Sequence, residues 1–578
     1  MKFGVLALDY DGTIARDGIL DPDVKTAIAE ARARGIVVIL VTGRILADLK
    51  HAAGNLQFVD AVVAENGAVL AFPNGHSWLT GHPPPPGFLE ELRRRAIDFA
   101  AGQSIVETDA SLAPRILAVI HELELPLVLL YNRSRLMVLP QGISKATGLR
   151  QALTALRLSA HNAIGIGDAE NDHDLLAACE IGVAVGWGSP ALQRNAEEVV
   201  RGDGPAALAP YIRQAANTMR LPPDRIGRDR IVLGTAGDGT PLGFAIRGRN
   251  LLIAGDPRSG KSWATGLFCE QLMLHDYCTC VIDPEGDYEQ LEALPRVLTW
   301  GGDDPLPSLP DLARMLRHPD MSVVINLSHV QYKEKVDYLR SLLPMLASLR
   351  RNTGLPHRIV VDEAHYFLNE SNVRDLLDLD LGAYTLVTYR PSDLHADVRK
   401  VMEVVCCTRI TDRQEAKAMQ TMFGNGSEDW TATLAGLADG EAVLLPSAEG
   451  VPGKLQRFSL RPRLTAHVRH RSKYLDVPMQ RGHEFVFTAA DGKPVGTPSR
   501  TLQEFVSSLG SVSSGVLDGH ARRGDFSRWI AEVFHDHPLA SDVRKVEQRY
   551  RLGYVESLQG ELVKALRDRY EVESELVL

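Results

Sequence analysis

The chain has 578 residues, which is too many for one hydrophobic core, so three to four domains are expected. Its 45% hydrophobic and 24% charged residues are ordinary for globular proteins, and a net charge of −10 argues against a generally basic nucleic-acid binder. Six Cys residues are too few for a disulfide framework and favour a cytoplasmic location, and no stretch reaches the ~20 apolar residues that a membrane helix needs.

Short apolar runs alternate with helix-like segments over residues 1–215. Five runs are typical of strands in a buried parallel sheet: FGVLAL, GIVVILV, DAVVAE, NAIGIG and IGVAVG. The segment DPDVKTAIAEARARG starts with an Asp N-cap and a Pro and ends in Gly, which predicts a helix. Between about 72 and 140, an amphipathic helix, FLEELRRRAIDFA, and paired strands, LVLLYNRSRLMVL, predict a small inserted α+β unit.

A second alternation of strands and helices is predicted over residues 231–462, after a linker at 216–230. It begins with a hairpin-like segment, RIVLGTAGDGTPLGFAIRG, and continues with the runs NLLIAG, TCVIDP, SVVINL, RIVVDE, AYTLVTYR and EAVLLP. Residues 463–578 contain a basic stretch, TAHVRHRSKY, a joint-like LGSVSSG and an amphipathic helical end, and their role stays open. The predicted fold class is α/β, with a mainly helical C-terminal region.

The first predicted strand is followed by two carboxylates, Asp9 and Asp11, which a period of two places on the same side. Open α/β sheets bind ligands at the carboxyl ends of their strands. One carboxylate could attack a phosphorus atom and the other could transfer protons, provided that a cation such as Mg²⁺ offsets the charge. The alternative interpretation is a strand followed by an ordinary Asp-Gly turn.

Three later segments favour the phosphate site. ILVTGR ends a strand in Thr42, whose hydroxyl can donate to a phosphate oxygen, and GISKATGLRQAL places Lys145 near the start of a helix. AIGIGDAENDHDLL ends another strand in Asp168, with Asn171 and Asp172 close behind. This acidic cluster needs a cation or a solvated surface to tolerate its charge.

The ordered motifs DYDGT, VTGR, Lys145 and GDAEND resemble those of the haloacid dehalogenase-like (HAD) phosphatases, over residues 1–215. The resemblance implies a Rossmann-like core in which Asp9 is the nucleophile and Asp11 the general acid/base. It implies further site residues: Thr42 and Lys145 as phosphoryl stabilisers, Asp9, Asp168, Asp172 and the Asp11 backbone carbonyl as Mg²⁺ ligands, and Gly43, Arg44 and Asn171 near phosphate or substrate.

The insertion at about 72–140 resembles the small α+β cap of the Cof, sucrose-phosphatase and archaeal phosphoglycolate-phosphatase branch. In that branch the cap selects the substrate, which implies a small phosphorylated metabolite here. Arg133 and Arg135, in YNRSR, are candidates for contacting an anionic substrate, or they belong to a solvated hairpin.

GDPRSGKS fits the P-loop pattern G-x-x-x-x-G-K-[ST] between a strand, NLLIA, and a helix, WATGLFCEQLMLH. Backbone N–H groups of the loop would hold the phosphates of ATP, and the predicted loop residues are Gly255, Asp256, Pro257, Arg258, Ser259, Gly260, Lys261 and Ser262. Lys261 would reach the β and γ phosphates, and Ser262 would bind Mg²⁺. RIVVDEAHYF supplies Asp362 near Mg²⁺ and Glu363 to polarise water, while Asp283 in CVIDPEGDY is a rival acid or part of a turn.

This second region resembles the HerA/FtsK group of P-loop ATPases, through GDPRSGKS, VIDPEGDY, VVDEAHYFL and TYRPSDL. The group generally forms hexameric rings, which implies a homo-oligomer with Arg390 and Arg409 as arginine-finger candidates; ordinary strand-end or surface arginines are the alternative. Tyr389 stands where the group often has Gln, although Thr388 could substitute for it.

We therefore expect a Mg²⁺-dependent phosphatase that acts through an aspartyl-phosphate, fused to an ATP-hydrolysing domain. One alternative is a DNA-translocase-type ring ATPase with the phosphatase as an effector, although the net charge does not support DNA as a partner. The other is a nucleotide-sensing switch that gates the phosphatase.

Overall fold

The computed structural model describes residues 3–218, 230–245, 248–369, 373–424, 429–445, 455–466, 483–534 and 537–569. Most of the predicted linker at 216–230 and of TAHVRHRSKY lies outside the described residues. Within those ranges, every helix is too short or too polar to cross a bilayer. The predicted domain boundaries stay predictions.

The N-terminal part of the chain is an α/β unit with helices on both faces of an eight-stranded sheet. Its strands, together with those of an inserted unit, are β1 (Val5–Leu8), β2 (Ala15–Arg16), β3 (Ile19–Leu20), β4 (Val37–Val41), β5 (Ala61–Ala64), β6 (Val69–Ala71), β7 (Ser77–Leu79), β8 (Ala100–Ala101), β9 (Val106–Asp109), β10 (Leu127–Asn132), β11 (Arg135–Pro140), β12 (Ala163–Gly167), β13 (Ile181–Val185) and β14 (Glu198–Val200). Its helices are α1 (Pro22–Ala33), α2 (Leu46–Ala53), α3 (Pro86–Arg94), α4 (Ala113–Glu122), α5 (Lys145–Leu156), α6 (His173–Ala178), α7 (Pro190–Asn195) and α8 (Leu208–Asn217).

The large sheet has the strand order β14-β13-β12-β1-β4-β5-β6-β7, parallel from β14 to β5 and antiparallel at β6 and β7. Apolar side chains pack on both faces, which explains why its strands are continuous apolar runs. The predicted first helix is confirmed as α1, where the Asp21 side chain accepts the backbone N–H groups of Asp23 and Val24.

The inserted unit, called the cap from here on, consists of residues 86–140. Its antiparallel sheet has the order β10-β11-β9-β8 and packs against α3 and α4. The predicted strand pair is confirmed as the hairpin β10–β11. The helix predicted from FLEELRRRAIDFA was too long: α3 ends at Arg94, Ala96 adopts a left-handed conformation with φ 49°, and Ala100–Ala101 joins the sheet as β8.

The second large sheet has eleven strands. They are β15 (Arg230–Ala236), β16 (Pro241–Ala245), β17 (Leu251–Ala254), β18 (Thr279–Asp283), β19 (Val297–Gly301), β20 (Ser322–Asn326), β21 (Arg358–Val361), β22 (Tyr384–Thr388), β23 (Val404–Cys407), β24 (Glu441–Leu445) and β25 (Gln456–Leu460). The helices of this part are α9 (Lys261–Leu274), α10 (Leu309–Met315), α11 (Tyr332–Thr353), α12 (Val373–Leu376), α13 (Ala396–Lys400), α14 (Arg413–Phe423) and α15 (Trp430–Ala435).

This sheet is parallel over β23-β17-β22-β21-β18-β20-β19, and β16-β15-β25-β24 extend it antiparallel. The predicted hairpin is confirmed as β15–β16. Two apolar clusters cover the two faces, as in the first unit. The sequence pattern of alternating strands and helices therefore predicted both α/β sheets.

The C-terminal region is helical, as predicted. Its helices are α16 (Leu502–Ser511), α17 (Ser514–Arg523), α18 (Asp525–Val533), α19 (His537–Arg551) and α20 (Leu558–Arg569). These helices pack against the segment that precedes α16 through a cluster of aromatic side chains. Its members include Phe485, Phe487, Phe505, Phe526 and Trp529. Most of the joint-like LGSVSSG belongs to α16 and α17, and only Val512 and Ser513 separate the two helices.

The two α/β units contact each other at the amino ends of their strands. The His161 ring, just before β12, stacks on Tyr277, just before β18, with centroids 3.7 Å apart. Glu180 Oε2 lies 2.7 Å from His161 Nδ1 and accepts the Tyr277 hydroxyl at 3.2 Å. His357, just before β21, donates from Nε2 to Asn162 Oδ1 at 3.1 Å. Both carboxyl edges therefore lie on the side of their sheet away from this interface.

Candidate active sites

The carboxyl edge of the first sheet brings Asp9, Lys145, Asp168 and Asp172 together. Asp9 follows β1, Asp168 follows β12, and Lys145 is the first residue of α5. Lys145 Nζ donates to Asp9 Oδ1 and to Asp172 Oδ1, each at 2.6 Å. All four side chains are almost fully buried, so the ammonium group offsets charges that water cannot reach.

Burial and mutual repulsion dominate the electrostatics of this cluster. Burial, then the charge of Asp172, raise the pKa of Asp9 well above its usual value, and Lys145 opposes this. Burial and Asp172 also raise the pKa of Asp168 to about 6. Burial alone would lower the pKa of Lys145, but Asp172 and Asp9 outweigh it and raise that pKa.

The cluster has the ligands that Mg²⁺ prefers. Carboxylate oxygens of Asp9, Asp168 and Asp172 lie within 4.8 Å of one another. Three buried carboxylates exceed the one buried ammonium beside them, so a cation would relieve their repulsion, and an all-oxygen set suits Mg²⁺. The predicted residues therefore fit the metal.

Asp11 lies apart from this cluster, contrary to the expectation that it shares a side with Asp9. Its two oxygens accept from Arg44, Nε to Oδ2 at 2.5 Å and Nη2 to Oδ1 at 2.6 Å, and its side chain is 45% exposed. β1 ends at Leu8 and the chain turns at Gly12 with φ 80°, so the period of two no longer applies. The metal role of the Asp11 carbonyl stays a prediction.

The second motif lies at the same edge. Thr42 is buried, follows β4, and accepts the backbone N–H of Arg44 at its hydroxyl oxygen. A Cβ at Gly43 would lie 3.4 Å from the Asn171 amide, which places both residues at one surface. Asn171 Oδ1 is buried and has no hydrogen-bond partner among the described residues, so a bound donor would satisfy it.

Three contributors to this site were missed in the sequence analysis. The buried Thr13 hydroxyl lies 3.0 Å from Asp9 Oδ2 and 3.3 Å from Asp168 Oδ1, and Trp187 Nε1 donates to the Gly12 carbonyl at 2.7 Å. Gly12 has φ 80°, and a Cβ there would clash with the Asp168 carboxylate. The Thr and Gly of DYDGT were visible signals, whereas the sequence carried none for Trp187.

The cap hairpin reaches the carboxylate cluster. Arg133 Nη2 donates to Asp168 Oδ2, and the Arg133 backbone N–H donates to Glu170 Oε2 at 3.3 Å. Arg135 instead pairs with Glu107, at 2.5 Å between Nε and Oε1. Arg133 therefore contacts the carboxylate cluster and Arg135 does not, although both were candidates for contacting an anionic substrate.

The carboxyl edge of the second sheet brings the predicted P-loop beside Asp362 and Glu363. The loop follows β17 and leads into α9, and Lys261 Nζ donates to Glu363 Oε1 at 3.1 Å. Asp362 Oδ2 accepts the Tyr288 hydroxyl at 3.1 Å. Lys261, Asp362 and Glu363 are buried, and Glu363 is held in a left-handed conformation with φ 46°.

Contacts within the loop explain its shape. A Cβ at Gly255 would clash with the Thr408 hydroxyl, and the Ser259 hydroxyl donates to the Asp256 carbonyl at 2.8 Å. Asp256 Oδ2 accepts the Thr411 hydroxyl at 2.6 Å. Pro257 and Arg258 complete the turn, with Arg258 at φ 68° and Gly260 at φ 95°.

The two acids at the end of β18 and in the turn after it, Asp283 and Asp287, have different hydrogen-bond partners. Asp283 accepts backbone N–H groups from Gly286, Asp287 and Tyr288 and so caps the turn, which favours its turn interpretation. Asp287, which the sequence analysis did not single out, accepts the Ser262 hydroxyl at 2.6 Å. Burial, then Asp287 and Asp362, raise the pKa of Asp283 to about 8.

Two residues of the last predicted motif, TYRPSDL, contact His365, which follows Glu363 by two positions. The Thr388 hydroxyl is 3.0 Å from His365 Nδ1, and His365 packs edge-on against Tyr389. Arg390 donates to the Val533 carbonyl at 2.8 Å, and Arg409 pairs with Asp439 at 3.2 Å. Both arginines thus have partners in their own chain, and an arginine-finger role stays a prediction.

Comparison with known proteins bears on the first site. A family model described as haloacid dehalogenase-like hydrolase matches residues 6–80 and 117–209. A phosphoglycolate phosphatase from Natronomonas pharaonis is 32% identical over 195 residues, which cover 31% of this chain and 83% of the relative. The N-terminal part of this chain belongs to the haloacid dehalogenase-like hydrolase family.

Two further comparisons cover the same part of the chain. A phosphoglycolate phosphatase from Methanosarcina mazei is 26% identical over 231 residues, covering 35% of this chain and 94% of the relative. A solved HAD-superfamily structure from Bacteroides thetaiotaomicron is 21% identical, with a TM-score of 0.31, and covers 37% of this chain and 95% of that one. The family model and the phosphoglycolate phosphatases confirm the predicted HAD-like resemblance, of the Cof and phosphoglycolate-phosphatase type, for the N-terminal part.

Proposed function

We propose that the N-terminal unit is a Mg²⁺-dependent phosphatase that hydrolyses a small phosphorylated metabolite through an aspartyl-phosphate on Asp9. The observation that carries the proposal is the buried Lys145 ammonium, which joins Asp9 to Asp172 inside a group of three carboxylates. Several relatives are named phosphoglycolate phosphatases, so phosphoglycolate is the first substrate to test.

In this reaction an Asp9 oxygen forms a bond to phosphorus while the bond to the leaving oxygen breaks, and Asp11 gives that oxygen its proton. Asp11 then takes a proton from water as the water attacks the phosphorus and releases Asp9. Mg²⁺ held by Asp9, Asp168 and Asp172 would offset the phosphate charge. Lys145 and Thr42 hold the phosphoryl oxygens, and Asn171, Gly43 and Arg44 line the entrance for phosphate and leaving group.

The test is a panel of phosphoglycolate, sugar phosphates and nucleotides, offered to the full chain with and without Mg²⁺. We expect phosphate release that depends on Mg²⁺ and that Asp9→Asn lowers by at least ~1,000-fold, because the nucleophile is lost. If no phosphate ester is turned over in the presence of Mg²⁺, the proposal fails.

We propose ATP binding and hydrolysis by the second unit as a further function. The supporting observation is the Lys261–Glu363 contact next to a strand–loop–helix segment of P-loop pattern. Lys261 would bind the phosphates and Glu363 would orient water, while Ser262 and Asp362 would hold Mg²⁺. When ATP enters, Lys261 exchanges its contact with Glu363 for the nucleotide, which releases the carboxylate for its role.

ATP binding and turnover by the full chain and by Lys261→Ala test this function. We expect the variant to lose both, because no other charge replaces the ammonium group. Stimulation by DNA together with ring assembly would favour the translocase alternative, and an ATP-dependent phosphatase rate without DNA would favour the switch. Equal ATP turnover by both proteins would contradict the assignment.

A further inference from the structure

Arg133 lies in the turn of the cap hairpin, with its side chain 65% exposed, and reaches Asp168, whose side chain is 1% exposed. Its φ of 55° and the bond from its backbone N–H to Glu170 fix the turn above the carboxylate cluster. A solvent-accessible guanidinium group therefore pairs with a buried carboxylate.

Arg133 pairs with a carboxylate of the cluster, whereas the nearby arginines Arg44 and Arg135 pair with carboxylates outside it. Arg44 is bound to Asp11, and Arg135 to Glu107, and neither carboxylate belongs to the three-carboxylate cluster. Asp168 does belong to it. Its Oδ1 lies 3.3 Å from the Thr13 hydroxyl and its Oδ2 accepts from Arg133, so a cation that binds Asp168 competes with Arg133.

We propose that Arg133 is a specificity residue that Mg²⁺ binding releases. Without the ion, Asp168 holds the guanidinium group; with the ion, the group is freed at the entrance, where it binds a second anionic group on the leaving part of the substrate. This inference rests on the proposed phosphatase function. It names the substrate class as phosphate monoesters that carry a carboxylate or a second phosphate, because the planar guanidinium fork matches either group.

Lys145 and Thr42 lie deeper and are occupied by the transferred phosphoryl group in the proposed function. Arg133 stands at the exposed cap side of the same cluster, so it meets the part of the substrate that departs. A neutral leaving group would leave the released guanidinium group in water, and a negatively charged one would pair with it. Selectivity between such substrates is therefore assigned to Arg133.

The first experiment measures Mg²⁺ binding to the full chain by calorimetry, in the absence of substrate. Arg133→Ala should bind Mg²⁺ about fivefold more tightly than the wild type, because the competing ion pair is gone. Arg135→Ala removes a cap charge two residues away and should leave the Mg²⁺ affinity unchanged. Unchanged or weaker Mg²⁺ binding by Arg133→Ala would contradict the proposal that Mg²⁺ and Arg133 compete for Asp168.

The second experiment compares kcat/KM for phosphoglycolate, ethylene glycol bisphosphate and the neutral analogue 2-hydroxyethyl phosphate. Arg133→Ala should lower the preference for substrates with a negatively charged leaving part over the one with a neutral leaving part at least ~10-fold. Arg133→Lys should keep part of this preference. The first two substrates show whether the second anion is a carboxylate or a phosphate. Turnover with unchanged selectivity overturns this inference alone, whereas no turnover by the wild type overturns the proposed function with it.

Discussion

Lys145 shows how a single residue sets the properties of the first site. A lysine this deeply buried is rare unless it is paired, because burial of an unpaired ammonium group costs several kcal/mol. Here two carboxylates accept from it at 2.6 Å, and both would otherwise be buried beside a third. The ammonium group therefore stabilises the fold and opposes the burial and the carboxylate repulsion that raise the pKa of Asp9.

Replacing Lys145 by Ala should lower the free energy of unfolding by about 3–5 kcal/mol in the absence of Mg²⁺, because it leaves buried carboxylates without their counter-charge. Mg²⁺ should restore part of the loss, since it binds the same carboxylates. Urea unfolding with and without Mg²⁺ measures both effects, and Lys145→Arg is the control that keeps the charge. A metal-free Lys145→Ala as stable as the wild type would contradict this account.

At the scale of elements, the turn after β1 decides which side chains enter the site. The Asp9 side chain joins the carboxylate cluster and that of Asp11 pairs with Arg44 instead, because the strand ends at Leu8 and the backbone reverses at Gly12. The strands themselves were predictable from continuous apolar runs, and so was the meeting of Asp9, Asp168 and Lys145 at one sheet edge. Side-chain directions beyond the strand end depend on turn geometry, which periodicity does not contain.

Non-local partners were equally beyond the sequence. Trp187 reaches Gly12 across 175 residues, and Arg133 reaches Asp168 only because the cap folds over the core. The contact of Ser262 with Asp287 likewise depends on where the β18 turn lies against the P-loop. Motif spacing indicated which segments meet at the sheet edges, and tertiary packing decided the partners of their side chains.

Gly12→Ala tests the turn. It should weaken Mg²⁺ binding at least ~10-fold and lower phosphatase activity with it, because the new Cβ would displace the Asp168 carboxylate. Gly35→Ala is a matched control, since Gly35 has a similar φ of 83° with open space around it. The control should lose about 1 kcal/mol of stability and no Mg²⁺ affinity. Equal Mg²⁺ affinity in the two variants would show that the Asp168 contact is not needed.

At the scale of the whole molecule, the two α/β units are joined at the edges opposite their candidate sites. The interface contains a buried His357 that accepts the Cys278 backbone N–H at Nδ1 and donates from Nε2 to Asn162. A neutral ring is needed for both bonds. Among the described residues, this interface is a route by which one site could affect the other.

This interface should weaken in acid. Burial, then the charge of His161, lower the pKa of His357 well below its ordinary value of 6.5. Below about pH 6.5 the unfolded chain binds a proton that the folded chain excludes, so the free energy of unfolding falls as pH is lowered. Thermal midpoints between pH 8 and pH 5 should drop less steeply for His357→Gln than for the wild type. If the thermal midpoints of the two proteins fall equally with pH, His357 is not the cause of the acid sensitivity.

The central claim is that Asp9 carries the phosphoryl group, and the most direct measurement is peptide mass analysis of acid-quenched protein during turnover of a phosphate ester with Mg²⁺. We predict a phosphate adduct on the peptide that contains Asp9 in the wild type and none in Asp9→Asn. Turnover without an adduct, or with the adduct on another residue, would contradict the claim.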